Sequence, residues 1–326
     1  MPTIRKPRSG SMQYWPRKRA KRHYTRVKSW AKIKEAKLLG FAGYKVGMTH
    51  AMITDNKKTS MTKNQEIFCP LTIIECPPLK SASIRFYKKT IKGLKPVSEI
   101  FAEKVDKELE RKITIPKNIK KKIEDIKDFD DITMLVYTQP KLTGIGKKKP
   151  ELFEIAIGGN KEEKLNYAKE NLGKEIDVKD VLTEGQQLDT HAVTKGKGFQ
   201  GAVKRYGIAL RSHKSEKHRR TPGSLGGWKG HAHFMWKVAY AGKMGFHVRT
   251  EHNKLLLKIG DKVDEINTNG GFLSYGVIKS QYILIKGSIA GAKKRLIRFN
   301  FAIRPDKKIP NEAPTIQHLS IKPKVS

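Results

Sequence analysis

The basic residues of this chain are crowded into two segments, and that crowding limits what the segments can fold into. Residues 5 to 37 contain 13 lysines and arginines against one acid, Glu35, and residues 195 to 258 contain 15 against two, Glu216 and Glu251. Such segments repel themselves and carry little Ile, Val or Leu, so neither is expected to fold alone around an apolar core. Together they hold +25 of a net +37, whereas residues 98 to 184 set 18 basic residues against 19 acids, the mixture of an ordinary soluble unit. The charge belongs to particular places, and those places call for a polyanion.

Nucleic acid is the first candidate. Anionic membrane is the second, but no apolar run approaches the ~18 residues of a span and no helix is dominated by a greasy face. The start, Met1-Pro2-Thr3-Ile4-Arg5-Lys6, lacks the apolar stretch of a secretory signal, which places the expected protein in the cytoplasm. Pro2, Pro7, Gly10 and Pro16 make residues 1 to 37 read as an extended arm, disordered when free. Its run Arg17, Lys18, Arg19, Lys21 and Arg22 suits phosphate binding and equally suits a nuclear address.

All four tryptophans, Trp15, Trp30, Trp228 and Trp236, lie in the two basic segments. Rings among cations suit RNA, because cations neutralise phosphates while flat faces stack on unpaired bases. Packing in a local mini-core is the competing explanation for any one of them. Cys69 and Cys76 are the only cysteines and sit on an apolar segment, where two reduced core thiols are expected.

Between the basic segments the texture changes to short apolar stretches with turn residues: 38 to 48, 67 to 76, 82 to 88, 132 to 138, 187 to 194, 272 to 278, 281 to 286 and 295 to 303. Their length and β-branched content predict strands, with Asn269-Gly270-Gly271 as a turn between two of them. Ser98 is placed to cap a helix carrying Ile100, Phe101, Val105 and Leu109, and Asn160 with Glu163 to start another running through Leu172. The expected fold is mainly β with an α+β insertion. The expected organisation is a basic arm over 1–37, barrel strands over 38–97, the insertion over 98–184, a barrel strand over 185–194, a basic extension over 195–258, further barrel strands over 259–304, and a C-terminal strap over 305–326.

Residues 194 to 203, Thr-Lys-Gly-Lys-Gly-Phe-Gln-Gly-Ala-Val, contain a literal GxGxxG. No second buried strand follows to complete a βαβ unit, and Glu216, at the distance of a ribose acid, sits inside a basic run. The kinase elements HRD and DFG are absent from the sequence. The glycines read instead as permitting close backbone approach to RNA while Lys195, Lys197, Lys204 and Arg205 meet phosphates. Lys214, Lys217, His218, Arg219 and Arg220 form the next basic run, and Lys229, His247, Arg249 and Lys254 complete the candidate RNA ligands. His213, His231, His233 and His252 join His218 and His247 in this segment, but no cysteine or carboxylate cluster supplies a metal shell with recognisable spacing, so stacking, phosphate hydrogen bonding or packing is preferred. Neither a GxSxG nucleophile nor a paired-carboxylate motif supports hydrolase chemistry; no cofactor, no metal and no small-molecule substrate is expected.

Four stretches carry a resemblance: residues 10 to 20 (Gly-Ser-Met-Gln-Tyr-Trp-Pro-Arg-Lys-Arg-Ala), 39 to 50 (Leu-Gly-Phe-Ala-Gly-Tyr-Lys-Val-Gly-Met-Thr-His), 193 to 207, and 241 to 254 (Ala-Gly-Lys-Met-Gly-Phe-His-Val-Arg-Thr-Glu-His-Asn-Lys). With them the chain resembles the universal large-subunit ribosomal protein L-three family in its archaeal and eukaryotic form. The resemblance implies a six-stranded translation-protein-type β-barrel with extended basic arms. It implies a structural constituent, not an enzyme, that binds large-subunit rRNA directly and helps initiate subunit assembly in the cytoplasm. It further implies a loop, roughly 205 to 250, reaching toward the peptidyl transferase centre with Trp228 at its tip, and neighbours that include L-fourteen and L-twenty-four-e. Lys243 stands where many relatives have glutamine, and His218 differs in its spacing to Trp228 from a modified histidine of eukaryotic members, so neither is placed as a modification site. From the residues alone, a non-ribosomal RNA chaperone or assembly factor is the alternative.

Overall fold

Apolar residues between Ile67 and Ile74 form an inner strand of the larger of two main sheets in a computed structural model, which describes residues 7–116, 123–126, 128–226 and 235–321. The strands in chain order are β1 (Gly40–Thr54), β2 (Glu66–Glu75), β3 (Leu79–Thr90), β4 (Gly93–Phe101), β5 (Asp131–Thr138), β6 (Leu152–Ala156), β7 (Glu175–Ile176), β8 (Gln187–Val193), β9 (Phe199–Gln200), β10 (Gly242–Lys243), β11 (Val248–Gly260), β12 (Tyr282–Lys286), β13 (Leu296–Phe301) and β14 (Ile316–Leu319). Helices α1 (Lys161–Asn171), α2 (Val178–Val181) and α3 (Ala202–Tyr206) are short, so the protein is mainly β with α+β character.

Strands of the larger sheet hydrogen-bond in the order β13, β8, β11, β12, β2, β1, β14, and β13 also pairs antiparallel with β1 from Gly40 opposite Asn300 to Tyr44 opposite Leu296. A second sheet runs β4, β3, β5, β6, with β7 on β3. Buried side chains from both sheets, such as Phe41, Ile74, Leu284 and Phe299 of the first and Ile84, Phe86 and Val136 of the second, join one apolar core. Cys69 and Cys76 lie buried and unpaired, and burial pushes both thiols up.

The chain divides into two units: residues 1–22 with 193–248, and residues 23–192 with 249–326. Both main sheets are built on the second, larger unit. It contains ion pairs of its own: Arg85 binds Glu99 at 2.7 Å and also Glu154, Lys80 binds Asp106 at 2.8 Å, and Lys164 binds Asp131 at 2.8 Å.

Several expectations need correction. No helix starts at Ser98, because residues 93 to 101 are strand β4, in which Glu99 stands opposite Arg85 across the ladder. That cross-strand ion pair and the β3 ladder override the helical spacing of Ile100 and Phe101. Leu109 is buried instead from the 3-10 turn Lys107–Arg111. Because β3 and β4 belong to the second sheet, that sheet begins at Leu79 and draws in residues placed with the barrel.

Residues 272 to 278 are a loop, not a strand. Gly270, Gly271 and Gly276 have φ of 90°, 73° and 106°, which breaks an extended path. Tyr275 turns inward and donates its hydroxyl proton to the buried carboxylate of Glu75, which also accepts the backbone N–H of Lys279 at 2.7 Å and of Ser280 at 2.9 Å. Burial and the Glu75 charge push the Tyr275 phenol well up, so it remains a donor. Residues 248 to 258, assigned to the basic extension, are strand β11, and Ile316–Leu319 of the strap pair with β1 as β14. The start of α1 is as expected: Asn160 and Glu163 form a capping box, with Glu163 accepting the Asn160 N–H at 2.9 Å.

Candidate nucleic-acid interface

A two-stranded ribbon organises the smaller unit. The N–H of Thr194 reaches the carbonyl of His247 at 2.9 Å, that of Lys197 reaches Met244 at 2.9 Å, and that of Met244 reaches Gly198 at 2.8 Å; β9 and β10 continue the ladder. Glycine is required at one point above the others: a Cβ on Gly245, at φ 76°, would lie 2.0 Å from the carbonyl oxygen of Lys195. Gly245 thus serves contact between the protein's own strands, whereas a Cβ on Gly198 or Gly201 of the GxGxxG stretch would meet nothing within 4 Å. The following helix α3 has only five residues and ends at Gly207 in the left-handed conformation, too short to form the long crossover helix of a dinucleotide fold.

Residues 8 to 20 are fastened to this ribbon. His247 is buried and donates from Nδ1 to the carbonyl of Lys18 at 2.8 Å, while the Ala20 N–H reaches the carbonyl of Phe246 at 2.8 Å. Arg17 lies 4.5 Å from the ring centre of Tyr206, Arg19 lies 5.3 Å from that of Phe246, and Arg8 lies 5.9 Å from that of Trp15. Arg205 donates to the carbonyls of Tyr240 at 2.9 Å and Lys243 at 3.1 Å. Two segments separated by 170 residues in sequence therefore form one basic body.

The placements of the candidate ligands differ. Lys18, Arg19, Lys21, Arg22, Lys195, Lys197, Lys204, Lys214, Lys217, His218, Arg219 and Arg220 present exposed side chains in the smaller unit. Trp15, Arg17 and Arg205 are half-buried and hold the unit's own segments together, as does His247. Arg249 and Lys254 lie on β11 in the larger unit, where Lys254 meets Glu251 at 3.0 Å and the Ser288 carbonyl at 2.9 Å. Trp228, Lys229, His231 and His233 lie outside the described residues. Trp30 belongs to the larger unit, packed against its core rather than set in a basic surface.

Sequence reading passed over Tyr206 and Arg8, which have no distinguishing spacing, and their signal is spatial: a ring that meets Trp15 at 5.7 Å and a guanidinium above that indole. Among the described residues no cluster of three or more His, Cys, Asp or Glu side chains is arranged to hold a metal, and no helix is long and apolar enough to cross a membrane.

Electrostatics separate the two units. Residues 1–22 and 193–248 contain 20 lysines and arginines and a single acid, Glu216. Within this unit the cations have almost no carboxylates to meet, in contrast to the ion pairs of the larger unit.

The family model described as Ribosomal protein L3 matches residues 1–322. The chain belongs to the ribosomal protein L3 family. It is similar to the large ribosomal subunit protein uL3 of Methanobrevibacter smithii, 49% identical over 98% of this chain and 97% of the relative. It is 48% identical to uL3 of Archaeoglobus fulgidus over 93% of each chain, and 46% identical to uL3 of Methanocaldococcus jannaschii over 97% of each. Membership makes the chain a ribosomal protein and not an enzyme.

Proposed function

We propose that this protein is a structural constituent of the large ribosomal subunit in the cytoplasm, that it binds large-subunit rRNA directly, and that it helps initiate subunit assembly. One observation carries the reading: a unit of 78 residues, brought together from two distant segments, holds 20 basic residues against one acid. A surface of that kind is compensated by phosphates, and release of their counterions supplies the affinity. The larger unit, by contrast, carries nearly all of the chain's acids and forms ion pairs of its own. Its larger sheet reads as a closed six-stranded barrel of the translation-protein type, because the ladder from β13 through β8, β11, β12 and β2 to β1 returns by the pairing of β1 with β13.

The loop containing Trp228 extends, in this reading, toward the peptidyl transferase centre, and L-fourteen and L-twenty-four-e are neighbouring proteins. The test is sedimentation of the protein with large subunits washed in high salt. A structural constituent remains with the particle, whereas an RNA chaperone or assembly factor is released.

A further inference from the structure

The smaller unit contains an aromatic cavity of ≈ 680 Å³ whose walls include Trp15, Tyr206, Trp236 and Tyr240, a volume within the range of small-ligand sites. We infer that it receives a single unpaired nucleobase of an RNA strand, stacked on Trp236. The inference rests on the RNA-binding reading above and gives it a mode of contact that charge alone does not specify.

The rings in this cavity differ in what they have left to offer. Tyr206 has the Arg17 guanidinium 4.5 Å and the Arg205 guanidinium 4.9 Å from its ring centre, and a Cβ on Gly10 would lie 2.4 Å from its edge. It is a wall, already covered by the protein's own groups. Trp15 meets Tyr206 at 5.7 Å and Trp236 at 6.0 Å, the latter edge-on with 70° between the planes. Trp236 is 60% exposed, an unusual state for an indole beside a cavity. An edge-on neighbour and that exposure leave Trp236 as the platform.

Two further features select a base over an aliphatic or an aromatic protein side chain. The indole Nε1 of Trp15 and the Nε of Arg17, both lining residues, are buried donors without a hydrogen-bond partner. A nucleobase brings ring nitrogens and carbonyl oxygens that accept such bonds, which a hydrocarbon side chain does not. The surrounding unit supplies cations for the phosphates on either side of an inserted base, with Glu216 its one acid.

The test compares two probes on the full-length protein at fixed ionic strength: a ten-nucleotide single-stranded oligoadenylate, and an abasic ribose-phosphate strand of the same length and charge. The ratio of their affinities isolates the contribution of the bases. Wild type is expected to prefer the oligoadenylate by roughly 5- to 150-fold, the range for stacking one base on an aromatic ring. Trp236→Ala should bring that ratio close to one, and Trp236→Phe should restore most of it; the exposure of Trp236 makes both variants compatible with folding. An unchanged ratio in Trp236→Ala, or a wild-type ratio near one while both strands bind, overturns the nucleobase site and leaves RNA binding standing. Failure of wild type to bind either strand overturns both.

Discussion

The guanidinium of Arg298 on β13 lies 5.8 Å from the ring centre of Trp30, in the segment that precedes β1, and 4.4 Å from that of Phe153 on β6. The same group donates to the carbonyl of Thr25 at 3.0 Å and to that of Glu154 at 2.5 Å. Burial lowers it to about 9, so it remains a cation at neutral pH. One buried side chain therefore fastens residues 25 to 30 and the second sheet to a strand of the larger sheet.

Arg298→Ala is predicted to cost about 3–5 kcal/mol, from two buried carbonyls left without a donor and the cavity beneath Trp30. Arg298→Lys keeps the charge but loses the planar fork, so a smaller loss is expected. Denaturant unfolding measures both, and limited proteolysis between residues 23 and 37 should become faster in each variant. Wild-type stability in Arg298→Ala would show that the fork holds nothing.

His191 on β8 gives a pH prediction. Burial, aided by the nearby Arg298 charge, lowers its imidazole to about 4 from an ordinary 6.5, and Asp189 opposes the shift only in part. The folded state thus binds fewer protons than the unfolded state between these values, and stability falls as pH drops from about 6.5 to about 4. The His191 contribution is on the order of 2 kcal/mol, allowing for its partial exposure. His191→Gln should flatten this part of the stability profile; an unaltered slope would contradict the assignment.

How much of this was legible in the sequence varied with how locally each feature is determined. The strands at 66–75, 131–138 and 187–193 are short, apolar and bounded by turn residues, and the capping box at Asn160 is contained in four residues. Strand β4 was not legible, because Arg85 selects Glu99 only after β3 lies beside it. Strand β11 begins at Val248, but the polarity of Arg249, Glu251, His252 and Lys254 hid it inside a basic segment until Leu255 to Leu257. The basic run gives no sign of a break at residue 22, since whether an arm residue joins Phe246 or Trp30 and Arg298 is decided by distant partners. The identity of the exposed cations was readable from composition; the structural duties of Arg205 and His247 were not.

Gly245→Ala tests the ribbon that brings the two basic segments together. Its Cβ would meet the Lys195 carbonyl oxygen at 2.0 Å in a backbone conformation of φ 76°, so a loss of about 2–4 kcal/mol in local stability is expected. Affinity for large-subunit rRNA should fall with it. Full rRNA affinity in a variant whose ribbon amides exchange rapidly would separate the ribbon from binding.

Replacing Lys214, Lys217, Arg219 and Arg220 together by glutamine removes exposed cations only. The thermal midpoint should be nearly unchanged, and the slope of log affinity for rRNA against log salt should become shallower by roughly 3. An unchanged slope would show that this run does not meet phosphates.

On the proposed reading of its loop, Trp228→Ala should leave folding and subunit incorporation largely intact while perturbing tRNA handling near the peptidyl transferase centre. Failure of assembly, with normal function in whatever subunits form, would contradict that reading.

The most direct test of the account is the salt dependence of full-length protein binding to large-subunit rRNA. Between about 50 and 200 mM monovalent salt, affinity is predicted to fall by at least roughly a thousandfold, as expected for six or more phosphate contacts. A change of less than about threefold over the same range, well below the counterion-release expectation, would contradict the claim that the basic unit binds through phosphates.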